Sequence, residues 1–257
     1  MSKNPNQKRA IEDYEKLEYY SDQRSREICG MLEPYIKVTD KYGELLSRIT
    51  NLLGGVKPIN IQGKVIRDLM ADVFDCLYES RKLILSGKCT IAFPLGRRAY
   101  ESLSLLHLSA LDPSLAMEWE EGRKINNHEI RSALDEHPLG ESKVLTDELY
   151  NFFCSATHPN RELIPHRFLG EGNQFVLGVI GKPDLIMVTD YCMKLLEFWF
   201  WLTATLTWFY KETILARDKT FFDEYFKSKL DAEKIMKSLT ENFNRLLKDF
   251  HEGILDK

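Results

Sequence analysis

Apolar residues recur three and four positions apart along most of this chain, the spacing that places them on one face of an α-helix. Prolines, glycines and capping residues punctuate this pattern. Together they predict successive helices over residues 7–51 with a break between 30 and 34, then 61–85, 90–111, 112–119, 126–137, 145–157, 184–216 and 220–250. Residues 90–111 are apolar nearly all round, so we expect this helix at the centre of a bundle.

One stretch departs from the helical pattern. Apolar residues alternate around two glycines in residues 167–181, which suggests a small β-hairpin. We therefore expect an all-α fold, a multi-helix bundle with a small β-hairpin insertion. The whole chain, 1–257, is expected to be one helical domain, with 1–55 as an N-terminal helical extension, 60–216 as the core and 218–257 as a C-terminal amphipathic helix.

The composition is that of an ordinary globular protein, with 44% hydrophobic and 29% charged residues. A net charge of −4 gives no overall field to attract a polyanion, so nucleic-acid binding would need a local patch. Five widely spaced cysteines and a polar N-terminus without an export signal favour a reducing cytoplasm. The strongest apolar run, 198–210, is shorter than the roughly twenty residues of a membrane span. We interpret its aromatic residues as core or interface.

Two polar stations interrupt these apolar stretches. The first, residues 96–101, contains Arg97, Arg98 and Glu101. At helical spacing one arginine can pair with Glu101, and the second is left to meet another segment. Because apolar residues flank the charges, we expect at least one arginine to be mostly buried. The pair is then either an internal brace or an anion pocket, in which a held guanidinium presents its remaining donors rigidly.

The second station, residues 150–159, ends at His158, where Pro159 stops the predicted helix. A histidine at a helix C-terminus is favoured by the helix dipole and by the unpaired carbonyls, so it can be a structural cap. Ser155, Arg161 and His166 lie nearby in sequence, with Arg167 following. A hydroxyl, two imidazoles and two cations so close together can equally form a general acid–base site.

Sequence templates for metal and cofactor sites are missing. The six histidines are scattered without a paired helical spacing, and His128–Glu129 and Glu136–His137 have no third ligand nearby in sequence. The fourteen glycines never form a phosphate-binding turn. We expect neither a metal nor a nucleotide cofactor.

The order of several short motifs resembles a family of bacterial helical proteins. In that family a mid-chain helix carries Arg followed by Tyr or Leu and then Glu, a Trp lies in the next short helix, and a later helix ends in Ser-x-x-His-Pro. The matching residues here are Arg97 or Arg98, Tyr100, Glu101, Trp119, Ser155, His158 and Pro159. The match covers roughly residues 60–215.

Such proteins are similar in outline to the HEPN group, the higher-eukaryote and prokaryote nucleotide-binding helical domains. Some of these are metal-independent ribonucleases that use an arginine and a histidine a few residues apart on one helix. Arg161 and His166 have this spacing, although Pro159 and Pro165 disfavour a regular helix there and Glu162 stands where a small polar residue is usual. The resemblance implies that the arginine would hold the scissile phosphate while the histidine exchanges protons.

Two functions remain open at this point. The leading interpretation is a cytoplasmic interaction or regulatory protein in which an Arg/Glu/His cluster organises the bundle, with a protein or RNA as partner. The alternative is a HEPN-like, metal-independent ribonuclease or toxin-type nuclease. In either case the abundance of aromatic residues in 198–210 and the amphipathic last helix predict a homo-oligomer, most simply a homodimer.

Overall fold

A computed structural model describes residues 16–55, 57–58, 60–157 and 185–252, and within these ranges the chain forms ten helices and no strand. The helices are α1 (Leu17–Met31), α2 (Glu33–Leu53), α3 (Ile61–Leu85), α4 (Cys89–Leu111), α5 (Pro113–Glu120), α6 (Asn127–Glu136), α7 (Lys143–Thr157), α8 (Leu185–Phe209), α9 (Lys211–Arg217) and α10 (Phe221–His251). The all-α, multi-helix prediction is confirmed for these residues. The β-hairpin predicted over 167–181 lies outside them.

Helices α4 and α8 form the centre of the bundle. α4 packs against α3, α5, α6, α7 and α8, and α8 packs against α2, α3, α4 and α10. Both helices bury side chains on most of their circumference, because neighbours surround them on several sides. The expected central position of residues 90–111 is therefore confirmed. Buried residues of α2 and α10 belong to the same continuous hydrophobic core.

Side chains of α7 and α8 pack directly against Gly96 of α4. A Cβ atom at this position would lie 2.4 Å from the Tyr191 hydroxyl and 2.6 Å from the Phe153 ring. The Tyr191 hydroxyl donates to the Ala92 carbonyl oxygen at 2.6 Å and lies 2.5 Å from the Ser80 hydroxyl. Burial raises the pKa of Tyr191 well above its usual value, so the phenol remains protonated and can donate.

Most helix ends in the structure agree with the ends predicted from capping residues in the sequence. The Asp112 side chain accepts from the Ser114 and Leu115 amides, and the Asn126 side chain accepts from the Glu129 amide. α3 ends before Gly87, whose φ of +70° is a left-handed conformation that glycine adopts without steric cost.

The long helix predicted over 184–216 is wrong in one respect, because the chain breaks at Tyr210 into α8 and the short α9. Tyr210 is buried at the break, and its hydroxyl donates to the Gly63 carbonyl oxygen at 3.4 Å. This contact ties the end of α8 to the start of α3, and the periodicity of the sequence carries no sign of it. No helix within the described ranges is both long and apolar enough to cross a membrane.

Candidate functional site

The two polar stations are in contact across the packed helices α4 and α7. Arg97 Nε donates to Glu101 Oε1 at 2.9 Å, one helical turn along α4. Its Nη2 also donates to the Tyr150 hydroxyl at 3.4 Å, and the guanidinium carbon lies 5.6 Å from the Tyr150 ring centroid. The predicted pairing of one arginine with Glu101 is confirmed. The Arg97 side chain is 25% exposed, so most of its surface is withdrawn from water while the rest stays in contact with solvent.

Arg98 lies on a different face of α4. Its side chain is 66% exposed and donates to Asp72 of α3, with Nη2 to Oδ1 at 2.6 Å. Ser102 donates to the same carboxylate at 2.7 Å. Arg98 points away from Arg97 because neighbouring residues on an α-helix are about 100° apart. The second arginine does meet another segment, as expected, but it does so at the surface.

Arg131 of α6 completes the cluster, and the sequence did not single it out. This residue is 7% exposed, and its Nε donates to Asp147 Oδ1 at 2.6 Å. Its guanidinium carbon lies 4.1 Å from the Tyr150 ring centroid, so Tyr150 contacts both Arg97 and Arg131 through its ring. The only hint in the sequence was its place beside Ile130 in an amphipathic helix.

We refer to Arg97, Glu101, Arg131, Asp147 and Tyr150 as the polar brace. Each of its two arginines has its own carboxylate, so the group as a whole is close to neutral. The brace links α4, α6 and α7 through side chains that are partly or wholly withdrawn from water. A balanced cluster of this kind can fix the packing of three helices, and it has little net charge with which to attract an anion.

The remaining site candidates lie beyond α7. His158, Arg161 and His166 fall outside the described residues, so their role stays a prediction. Ser155, within the last turn of α7, is exposed and donates to the Phe152 carbonyl oxygen at 2.9 Å, a bond within its own helix.

A cavity of about 450 Å³ lies beside the polar brace, between α4, α7, α8 and the loop before α7. Tyr100 of α4 stands between the two features, with its ring centroid 6.4 Å from that of Tyr150 and 6.5 Å from that of Trp201. Its hydroxyl donates to the Thr146 carbonyl oxygen at 2.8 Å, which fixes the ring. We call this space the α4/α8 cavity. No pattern in the sequence predicts this cavity.

His107 is a buried polar residue of the cavity lining. Its Nδ1 accepts a hydrogen bond from Trp201 Nε1 at 2.9 Å, so the proton of the neutral ring lies on Nε2. Burial, with a smaller contribution from His137, lowers the pKa of His107 to about 4. The imidazole is therefore uncharged at neutral pH and adds no positive charge to the cavity.

The mouth of the cavity is rimmed by apolar side chains that remain in contact with solvent. Leu139 is 60% exposed, Leu145 42% and Trp208 48%, and all three line the cavity. Large apolar side chains gathered around a concavity are typical of ligand sites in soluble proteins. The cavity volume also falls within the range of small-molecule pockets, about 300–1,000 Å³.

Metal-binding groups do not assemble in the part of the chain that the structure describes, since no three His, Cys, Asp or Glu side chains there lie close enough to hold an ion. The site therefore consists of a balanced polar brace next to an open, largely apolar cavity. Comparison with family models, curated protein sequences and solved structures yields no match to this chain.

Proposed function

We propose that this protein is a cytoplasmic interaction or regulatory protein that acts by binding a ligand in the α4/α8 cavity. The observation that carries the proposal is the exposed apolar rim formed by Leu139, Leu145 and Trp208 around the cavity mouth. Leaving these side chains in water costs free energy that a bound apolar group would recover.

The polar brace supports this function indirectly. Tyr100 contacts the brace on one side and the aromatic wall of the cavity on the other. Holding α4 against α7 through Arg97 and Tyr150 keeps that wall in place before a ligand arrives. A preformed pocket loses less conformational entropy on binding than one that must be ordered by its ligand.

A neutral, environment-sensitive dye such as Nile red tests the proposal. We expect its fluorescence to rise with a saturable dependence on protein concentration. Ala204 lines the cavity, and Ala204→Phe should fill part of the space and abolish most of that signal. Ala71→Phe, at an exposed alanine of α3 away from the cavity, adds the same side chain and should leave binding unchanged. Equal dye binding by both variants would contradict the proposal.

The second candidate function is a HEPN-like ribonuclease. One observation favours it: Arg97, which keeps partial contact with solvent, also contacts α7, the helix that leads directly to His158. A spare guanidinium donor can bind a phosphate oxygen. In this scheme the arginine holds the scissile phosphate, and a histidine exchanges protons with the 2′-hydroxyl and the leaving oxygen.

RNA cleavage separates the two functions. Purified protein would be incubated with mixed RNA in EDTA, together with His158→Ala and His166→Ala. Cleavage that survives the chelator and disappears in either variant supports the ribonuclease. Intact RNA in every sample leaves the binding function as the better account.

We further propose that the protein is a homodimer. Phe226 and Leu230 are each 56% exposed and lie one helical turn apart on α10, so they form an apolar strip on the outer surface of the bundle. Light scattering at micromolar concentration should give twice the chain mass. The double variant Phe226→Glu, Leu230→Glu should be monomeric, and a monomeric wild type would rule out the dimer.

A further inference from the structure

The charged groups around the α4/α8 cavity are of one sign. Glu141 and Glu197 line it, and no lysine or arginine does so among the described residues. The remaining ionisable group of the lining, His107, is uncharged at neutral pH. The cavity therefore combines an apolar body with a negative potential at its edge.

Glu197 has no partner that cancels its charge. Within the described ranges it makes neither an ion pair nor a hydrogen bond, although it lies on α8 next to an otherwise buried face. Burial raises the pKa of its carboxyl, against the effect of Lys194, and the charges of Asp190 and Glu141 raise it further. The residue nevertheless remains exposed by surface area, so its carboxyl group keeps contact with solvent at the edge of the cavity.

Two lysines of α8 and α10 have contacts other than with Glu197 and Glu141. Lys194 Nζ lies 2.5 Å from Asp190 Oδ1 and 4.3 Å from the Phe152 ring centroid. Lys229 of α10 approaches the Phe200 ring, with Nζ 5.8 Å from its centroid. Neither lysine lines the cavity. The carboxylates of Glu141 and Glu197 are therefore available to a ligand that enters the cavity.

We propose that the α4/α8 cavity takes a small amphipathic amine, with its apolar body against the aromatic wall and its ammonium group between Glu197 and Glu141. An ammonium group would gain an ion pair with the Glu197 carboxylate and a cation–π contact with the indole ring of Trp201, one helical turn further along α8. An anionic head group would meet two like charges instead. This inference rests on the proposed binding function and adds the chemical class of the ligand.

A matched series of ligands tests the class. Phenylbutylamine, phenylbutanol and phenylbutyrate share an apolar body and differ in the charge of the head group. Isothermal titration calorimetry at neutral pH and low salt should give the tightest binding for the amine, about tenfold tighter than the alcohol, with the carboxylate weakest. The preference for the amine should shrink as salt is added, because the pair is partly exposed.

Two variants assign the preference to the cavity. Glu197→Gln should weaken amine binding by about fivefold and leave alcohol binding unchanged, since it removes a charge and little volume. Glu148→Gln is the control, because Glu148 is an exposed acid of α7 that does not line the cavity. It should change neither affinity.

The outcomes separate this inference from the proposed function. An amine preference that falls from about tenfold to about twofold in Glu197→Gln supports both. Equal affinity for all three compounds, abolished by Ala204→Phe, overturns the amine class and leaves the binding function standing. No binding of any compound, together with no Nile red signal, overturns both.

Discussion

The two sides of helix α4 differ in how closely their side chains are packed against neighbouring helices. On the inner side, Gly96, Tyr100 and His107 are buried, and each makes a close contact with a residue of α7 or α8. On the outer side, Arg98 and Ser102 share the Asp72 carboxylate at the edge of α3. Both sides are polar in sequence, yet only the inner side is closely packed, so mutations should separate them sharply.

The largest effect is expected at Gly96. Gly96→Ala places a methyl group against the buried Tyr191 hydroxyl and Phe153 ring, and such overpacking costs about 2 to 3 kcal/mol of the free energy of unfolding. The matched control is Gly43→Ala in α2, where a Cβ atom would meet nothing within 4 Å. That change should stabilise by about 0.5 to 1 kcal/mol through helix propensity. Urea unfolding of both variants tests the contrast, and similar stabilities for the two would contradict it.

The next effect is a pH dependence at His107. Its pKa is about 4 in the folded protein, whereas the unfolded chain takes up a proton near the ordinary value of about 6.5. Between these two values the unfolded state binds more protons, so stability falls as the pH decreases. At about pH 5 the loss attributable to this group is about 2 kcal/mol.

His107→Gln isolates this contribution. Glutamine keeps an acceptor within reach of Trp201 Nε1 but cannot titrate. Other groups titrate in both proteins, so the informative quantity is the difference between wild type and variant in the free energy of unfolding, measured from about pH 7 to about pH 5. Parallel pH curves for the two proteins would show that His107 is not the group responsible.

The smallest effects compare the two adjacent arginines. Arg97→Met removes the partly buried contacts with Glu101 and Tyr150 and should cost about 1 kcal/mol, whereas Arg98→Met removes an exposed pair and should cost about 0.3 kcal/mol or less. Methionine keeps most of the apolar stem, so the comparison reports the charged heads. Thermal unfolding of the two single variants is the measurement. A larger loss of stability in Arg98→Met than in Arg97→Met would contradict the conclusion that Arg97 makes the more buried contacts.

Helix positions were largely predictable because they follow from local rules. The break near Leu32, the cap at Asp112 and the end of α3 before Gly87 depend on capping and backbone geometry that neighbouring residues specify. The break at Tyr210 was not predicted. The contact found there joins Tyr210 to Gly63, which is distant in sequence, and local rules do not include such contacts.

The candidate site was only partly predictable. The Arg97–Glu101 pair follows from the four-residue spacing within one helix. Arg131 was missed because its partners, Asp147 and Tyr150, lie on another helix. The functional roles of His158, Arg161 and His166 remain predictions, as do the domain division and the homodimer.

Local spacing along the chain was enough to predict an all-helical pattern in the described residues, a central apolar helix and one intrahelical ion pair, because each of these depends on residues within a few turns of one another. The tertiary structure was needed to show which arginine faces inward and where the α4/α8 cavity lies. It also showed that Glu197 borders this cavity without a neutralising partner among the described residues. These features arise where three helices meet, and the relative placement of helices is set by long-range packing, which local spacing does not encode.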